Sequence, residues 1–207
     1  MAKSNLIIIG AGGHATACID VILRQGIYNI AGLIDTSNLP NKIFPNYPII
    51  GGDQDLLSLY KKYRYVFIAI GQIKSANIRF ELFEKVKKIG FKLPVIISPL
   101  ACISDYATID EGTIIMNGAF VNAGVKIGKN SIINTNALIE HDVTIGDHTH
   151  ISTGVIVNGN VNIGSATFIG SGSIIKEDLF IGSNCLVGMG SNLRNNLKNN
   201  GVFPQIT

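Results

Sequence analysis

The chain has 207 residues, 46% of them hydrophobic and 15% charged, with a formal net charge of +3. It can bury a sizeable core, yet no run reaches the roughly 18 apolar residues of a membrane span, and the apolar run at 6–9 is too short for a secretory signal. Up to residue 98 twelve Lys and Arg stand against six Asp and Glu, and beyond it five against eight; this favours the first part for a phosphate-bearing ligand, and the lack of a basic stripe speaks against nucleic acid.

In chain order, NLIIIG (5–10) is a short apolar run of buried-strand type. A glycine turn and a helical stretch follow, closed by Gly26 as C-cap. IAGLID (30–35) reads as a second strand, and DQDLLSLYKKY as a helix with Asp53 as N-cap. YVFIAIG (65–71) is a third strand. SANIRFELFEKVKKIG is an amphipathic helix ending at Gly90, and LPVIIS (93–98) a further strand. Alternation of this kind predicts a small parallel α/β sheet, a Rossmann-like domain over 1–98.

From 99 to 207 another rule applies. Every sixth residue from Ile103 to Leu193 is aliphatic, sixteen in succession, and two positions before each the side chain is mostly small or β-branched. Neither a helix nor a single strand has period six; a parallel β-helix of hexapeptide repeats does. Gly128, Gly146, Gly164 and Gly182 lie 18 apart, one triangular coil of three hexapeptides, and should stack at one corner. Roughly five coils follow, each burying its ladder on the next.

Two motifs carry chemistry. Gly10, Gly12 and Ala15 in GAGGHA match G-x-G-x-x-G/A between a strand and a helix, with Asp35 at the end of the next strand. Amides at that helix start would cradle a phosphate. Because the sheet stops and a β-helix takes over, a single nucleotide diphosphate fits better than the dinucleotide of a nicotinamide oxidoreductase, with Asp35 facing the base or ribose. The other motif is IEHDVTIGDHTH (139–150), with three of the four histidines. The three cysteines share no CxxC spacing and read as thiols of a reducing cytoplasm.

GAGGHA joined to a hexapeptide β-helix carrying NTNALIEHD and IGDHTHIS resembles the PglD/NeuD family of sugar acyltransferases. The resemblance implies a left-handed β-helix, a homotrimer with sites between subunits, a cytoplasmic location, acetyl-CoA as co-substrate and no metal. It implies a nucleotide-linked 4-amino-4,6-dideoxy sugar as acceptor, for surface-glycan biosynthesis. The alternative is O-acetylation of a sugar such as sialic acid, and the nucleotide, UDP, dTDP or GDP, stays open. Carried over, His141 is the general base and Asp142 orients it. Asn134 and His150 lie near the thioester, Gly159 offers an oxyanion N–H, and Ser171 and Met189 contact coenzyme A. Gly12, Gly13 and His14 hold the nucleotide sugar, with Asp35 and Thr36 at its base. The family's G-x-P-A segment has GVFPQIT in its place, so no coenzyme contacts are carried over to it.

The chemistry suits histidine, whose pKa near 6.5 leaves much of it neutral and able to take the proton that a sugar amine must lose on attack. A neighbouring carboxylate fixes the tautomer and favours the imidazolium. His141 and His150 are nine residues apart, half a coil, so they should project from different sides of one subunit and meet across the trimer interface. His148 reads as a surface residue. A zinc β-helix enzyme is the rival, but His141, His148 and His150 share no hexapeptide register from which to converge on a metal.

Overall fold

Each early strand is an apolar run whose alternate side chains face opposite ways. In the computed structural model, which describes residues 3–36 and 46–204, β1 (Ser4–Ile9), β2 (Tyr28–Ile34), β3 (Ile49–Gly51) and β4 (Tyr65–Ile68) form a parallel sheet in the order β3-β2-β1-β4. Leu6 and Ile8 pack on α1 (Gly13–Gln25). Ile7 and Ile9 pack on the other side against α2 (Leu56–Tyr60) and α3 (Asn77–Ile89). Gly26 (φ +72°) closes α1 in the left-handed conformation that glycine adopts without strain. Asp53 is not a helix N-cap. It opens a 3-10 turn, Asp53–Asp55, in which the Asp55 carboxylate accepts the Gly52 N–H at 2.9 Å.

The strand expected at 93–98 does not join this sheet. β5 (Ile96–Ile97) pairs with Ile114–Ile115 in the second unit. The fourth place goes to β3, whose three residues are too few to show a pattern.

Sixteen two-residue strands follow, from β6 (Cys102–Ile103) to β21 (Asn192–Leu193), each ending on one of the sixth-residue aliphatics. They form three parallel sheets in which each strand pairs with the one 18 residues on. This is a left-handed β-helix. The second residue of each strand points inward, and these rungs with the small residues between them form a continuous core. A fully buried rung contributes about 2 kcal/mol. The glycines 18 apart do stack: a Cβ on Gly146 would stand 2.6 Å from the Ser165 nitrogen of the next coil. Their carbonyls accept from buried hydroxyls at the small positions, as from Thr149 Oγ1 to Gly164 O at 3.0 Å and Thr167 Oγ1 to Gly182 O at 2.8 Å.

The first residue of each strand points outward, giving three unlike faces. One presents Ile96, Ile114 and Ile132, buried beneath α1, then His150, Phe168 and Leu186. The next presents Phe120, Leu138, Ile156 and Ile174, an apolar column that nothing else among the described residues covers fully. The third presents Thr108, Lys126, Thr144 and Asn162, polar over these four, and ends on exposed Phe180.

Arg79 of α3 ties the two units together. It is fully buried with no carboxylate partner among the described residues, and donates to the carbonyls of Ile68 (3.0 Å), Ile70 (2.7 Å) and Asn130 (2.7 Å) and to Asn130 Oδ1 (2.7 Å). The Asn130 amide donates back to the Arg79 carbonyl and on to His148 Nδ1.

Candidate active site

The chain turns a corner between Leu138–Ile139 and Thr144–Ile145, and Asp142 takes the left-handed conformation there (φ +61°). Asn160 stands in the same conformation one coil above and Gly124 one coil below, where a Cβ would strike the Asp142 carboxylate. The corner turns His141 outward, its side chain 64% exposed, with Nδ1 2.9 Å from Asp142 Oδ2. With Nδ1–H donating to that carboxylate, Nε2 is the free acceptor of the ring. The bond to Asp142 raises the His141 pKa, and the charges of Asp142, Glu140 and Asp178 add to it. Gly159 lies against the ring: a Cβ there would stand 2.7 Å from Nε2. A hollow of about 350 Å³ opens beside them, lined also by Asn158, Asn160 and Glu177.

The second cluster lies on the face partly covered by the α/β unit. His150 is buried; its Nδ1–H donates to the Gln72 carbonyl at 2.7 Å, and its Nε2 accepts from the Asn134 amide at 3.3 Å. Burial pushes its pKa down to about 4, with the Arg79 charge assisting. It stays neutral at any ordinary pH. Phe168, Leu186, Ser171 and Met189 extend the cluster into an apolar groove of about 440 Å³. The Ser171 and Ser152 hydroxyls are 2.8 Å apart, and Met189 is exposed.

The third cluster is the glycine loop. Gly10 needs to be glycine: its φ is +108° and a Cβ would press on the Ala69 carbonyl. At Gly12 and Gly13 a Cβ would meet nothing within 4 Å among the described residues. Among the described residues no side chain caps the α1 amides. Asp35 holds this loop by accepting the Ala11 N–H at 2.7 Å. With Thr36 it lines a cleft of about 510 Å³ that Gly52 and Asp55 also border. His14 bridges towards the second cluster, its ring centre 6.4 Å from that of His150. Burial, with Arg79 and His150 nearby, lowers its pKa to about 3.

One chain therefore joins His141, Asp142 and Gly159 in one place, Asn134, His150, Ser171 and Met189 in a second, and the loop residues in a third. It does not bring His141 to His150. His148 is not a surface residue: α3 packs onto its corner, with Phe80 and Phe83 edge-on at 5.1 and 5.3 Å. Among the described residues no three His, Cys, Asp or Glu side chains converge as metal ligands would. Two residues were missed. Gln72 fixes the His150 ring through a backbone carbonyl, which no side-chain pattern announces. Arg79 sits in an amphipathic helix, where an arginine reads as solvated.

A nucleotide-loop α/β unit on a hexapeptide β-helix, with a His–Asp pair at an exposed corner, defines a hexapeptide acyltransferase. Residues 5–86 match the model of the PglD N-terminal domain, and residues 124–159 that of the bacterial transferase hexapeptide, six repeats. The chain is 30% identical to the acetyltransferase domain of PglB from Neisseria gonorrhoeae, solved with acetyl coenzyme A, over 97% of this chain and 96% of that one, with a TM-score of 0.88. It is 29% identical to PerB from Caulobacter crescentus, solved with CoA and GDP-perosamine, over 97% and 94% of the two chains, TM-score 0.89. WeeI from Acinetobacter baumannii is 25% identical over 97% and 96%, TM-score 0.86. The chain belongs to the PglD family of hexapeptide-repeat sugar acetyltransferases.

Proposed function

We propose that the chain transfers acetyl from acetyl-CoA to the 4-amino group of a nucleotide-linked 4-amino-4,6-dideoxy sugar, for surface-glycan biosynthesis. The observation that carries this is the His141–Asp142 pair, turned outward with Gly159 clearing room for the ring. The amine attacks the thioester carbonyl and His141 Nε2 takes its proton. The tetrahedral intermediate collapses with loss of the CoA thiolate, which the imidazolium can reprotonate. A base so placed contributes on the order of 10²–10⁴-fold, and the Gly159 N–H can face the oxyanion. No acyl-enzyme is needed where amine and thioester are held together. Gly12, Gly13, His14, Asp35 and Thr36 hold the nucleotide sugar; Asn134, His150, Ser171 and Met189 hold the donor. N- rather than O-acetylation is favoured by a relative at 29% identity that is a perosamine N-acetyltransferase, solved with CoA and GDP-perosamine.

The site closes in a homotrimer. The two apolar faces meet at a corner carrying Asn136, Gly154, Gly172 and Gly190, and around the last three a Cβ would find open space. Three copies arranged about that corner lay the apolar column of each on the His150 face of the next, a heterologous ring. His141, at the far edge of the apolar face, then approaches His150 of the neighbour.

The test is a screen of UDP-, dTDP- and GDP-linked amino sugars with acetyl-CoA, reading thiol release and the acetylated atom by mass spectrometry. An N-acetylated nucleotide sugar is expected. Turnover of sialic-acid-type sugars alone, with acetyl on oxygen, would contradict the reading.

A further inference from the structure

We propose that Lys176 and Arg194 hold the phosphates of the acyl donor. This rests on the acetyl-CoA reading and deepens it. Counted upward one coil at a time, the column beside His141 runs Glu140, Asn158, Lys176, Arg194. Pairing of Leu138 with Ile156, Ile156 with Ile174 and Ile174 with Asn192 keeps it in register. The hollow at His141 shares Asn158 and Glu177 with a larger one above it, of about 540 Å³, and Lys176 and Arg194 line that upper part. Together they form one groove.

The lengths agree. Coils are ~4.8 Å apart, so the two cations stand about 10 and 14 Å above the level of Glu140. A pantetheine arm equals about four extended residues, ~14 Å from sulfur to diphosphate. A thioester beside His141 thus has its phosphates beside Lys176 and Arg194.

The charges agree too. The lower end of the groove carries Glu140, Glu177 and Asp178, which suits a sugar ammonium and an imidazolium. The upper end carries two of the β-helix's five cations. The facing wall in the trimer, the groove of Phe168, Leu186 and Met189, suits the pantetheine arm, but among the described residues lining it Lys74 is the single cation, His150 being neutral. A diphosphate and a 3′-phosphate need more positive charge than that wall supplies.

Full-length protein, its Lys176→Ala and Arg194→Ala variants and the double variant are titrated with CoA by calorimetry, then assayed with acetyl-CoA and with acetyl-pantetheine, which lacks phosphates. Each single change is expected to weaken CoA about tenfold, the double more, with weaker salt dependence. The loss should be confined to phosphate-bearing donors, so that kcat/KM for acetyl-pantetheine moves less than about twofold. Equal CoA affinity in wild type and double variant, or an equal loss with acetyl-pantetheine, would overturn this inference and leave the acetyltransferase reading standing. Failure of the wild type to bind CoA at all would overturn both.

Discussion

His141 and His150 lie nine residues apart and live in opposite surroundings. The first is on an open corner, bonded to a carboxylate among further acids, and its pKa is raised. The second is buried between the β-helix and the α/β unit, bonded to a carbonyl and an amide, and its pKa falls to about 4. The same side chain is thus exposed and more basic in one place and a fixed, neutral polar group in the other. The carboxylate partner and exposure of the first suit it to the proposed role of base; the fixed orientation of the second suits it to the proposed role of wall.

The largest effect that would break this contrast is at the base. His141→Ala should lower kcat by about 10²–10⁴-fold while nucleotide-sugar affinity stays within about twofold; near-normal turnover would remove the assignment. Gly159→Ala should come next. Its Cβ would meet the imidazole at 2.7 Å, so kcat should fall by roughly ten- to a hundredfold with little change in melting temperature. An unchanged kcat would show that the ring does not work from this position.

Asp142→Asn sharpens the comparison through pH. The carboxylate raises the His141 pKa, and the proposed mechanism needs the neutral ring, so wild-type kcat/KM should rise with pH through a midpoint above that of an ordinary histidine. The variant should show that midpoint moved to lower pH, with a lower plateau; an unmoved midpoint would detach the limb from this pair. His150 should contribute no limb near neutrality. Instead it should appear in stability. Its folded pKa is depressed, as is that of His14 at about 3, so both contribute stability in full above pH 6.5 and lose it as pH falls towards 4. Melting temperature should drop across that window, by an amount corresponding to a few kcal/mol. His150→Gln should flatten the drop, and an identical slope would contradict the buried neutral state.

How much of this was legible follows from where each force acts. The β-helix rungs repeat in sequence because every coil solves the same packing problem, so Ile139, Ile145 and Ile151 announce themselves. The stacked glycines do so for the same reason. The E-H-D corner stands out against that background as residues the coil does not need. What was illegible depends on contacts between distant segments. His148 and His150 look alike in the sequence, yet α3 buries one against Phe80 and Phe83 and the Gln72 carbonyl claims the other. Arg79 has helical spacing suited to solvent and ends fully buried, because four acceptors on two units meet it. β3 is too short to assign, and β5, legible as a strand within 93–98, pairs with Ile114–Ile115 instead of the first sheet, a choice made by contacts that its own residues do not show.

The central claim is that one subunit's base works against the next subunit's wall. It is tested most directly by mixing two defective variants, His141→Ala and His150→Ala, and letting subunits exchange, with trimers verified by light scattering. If each site takes His141 from one chain and His150 from its neighbour, random assortment leaves about a quarter of the sites with both histidines, and activity should return to about that fraction of wild type. If the mixture stays as inactive as its parents, the two histidines do not serve one site across the interface, and the account fails.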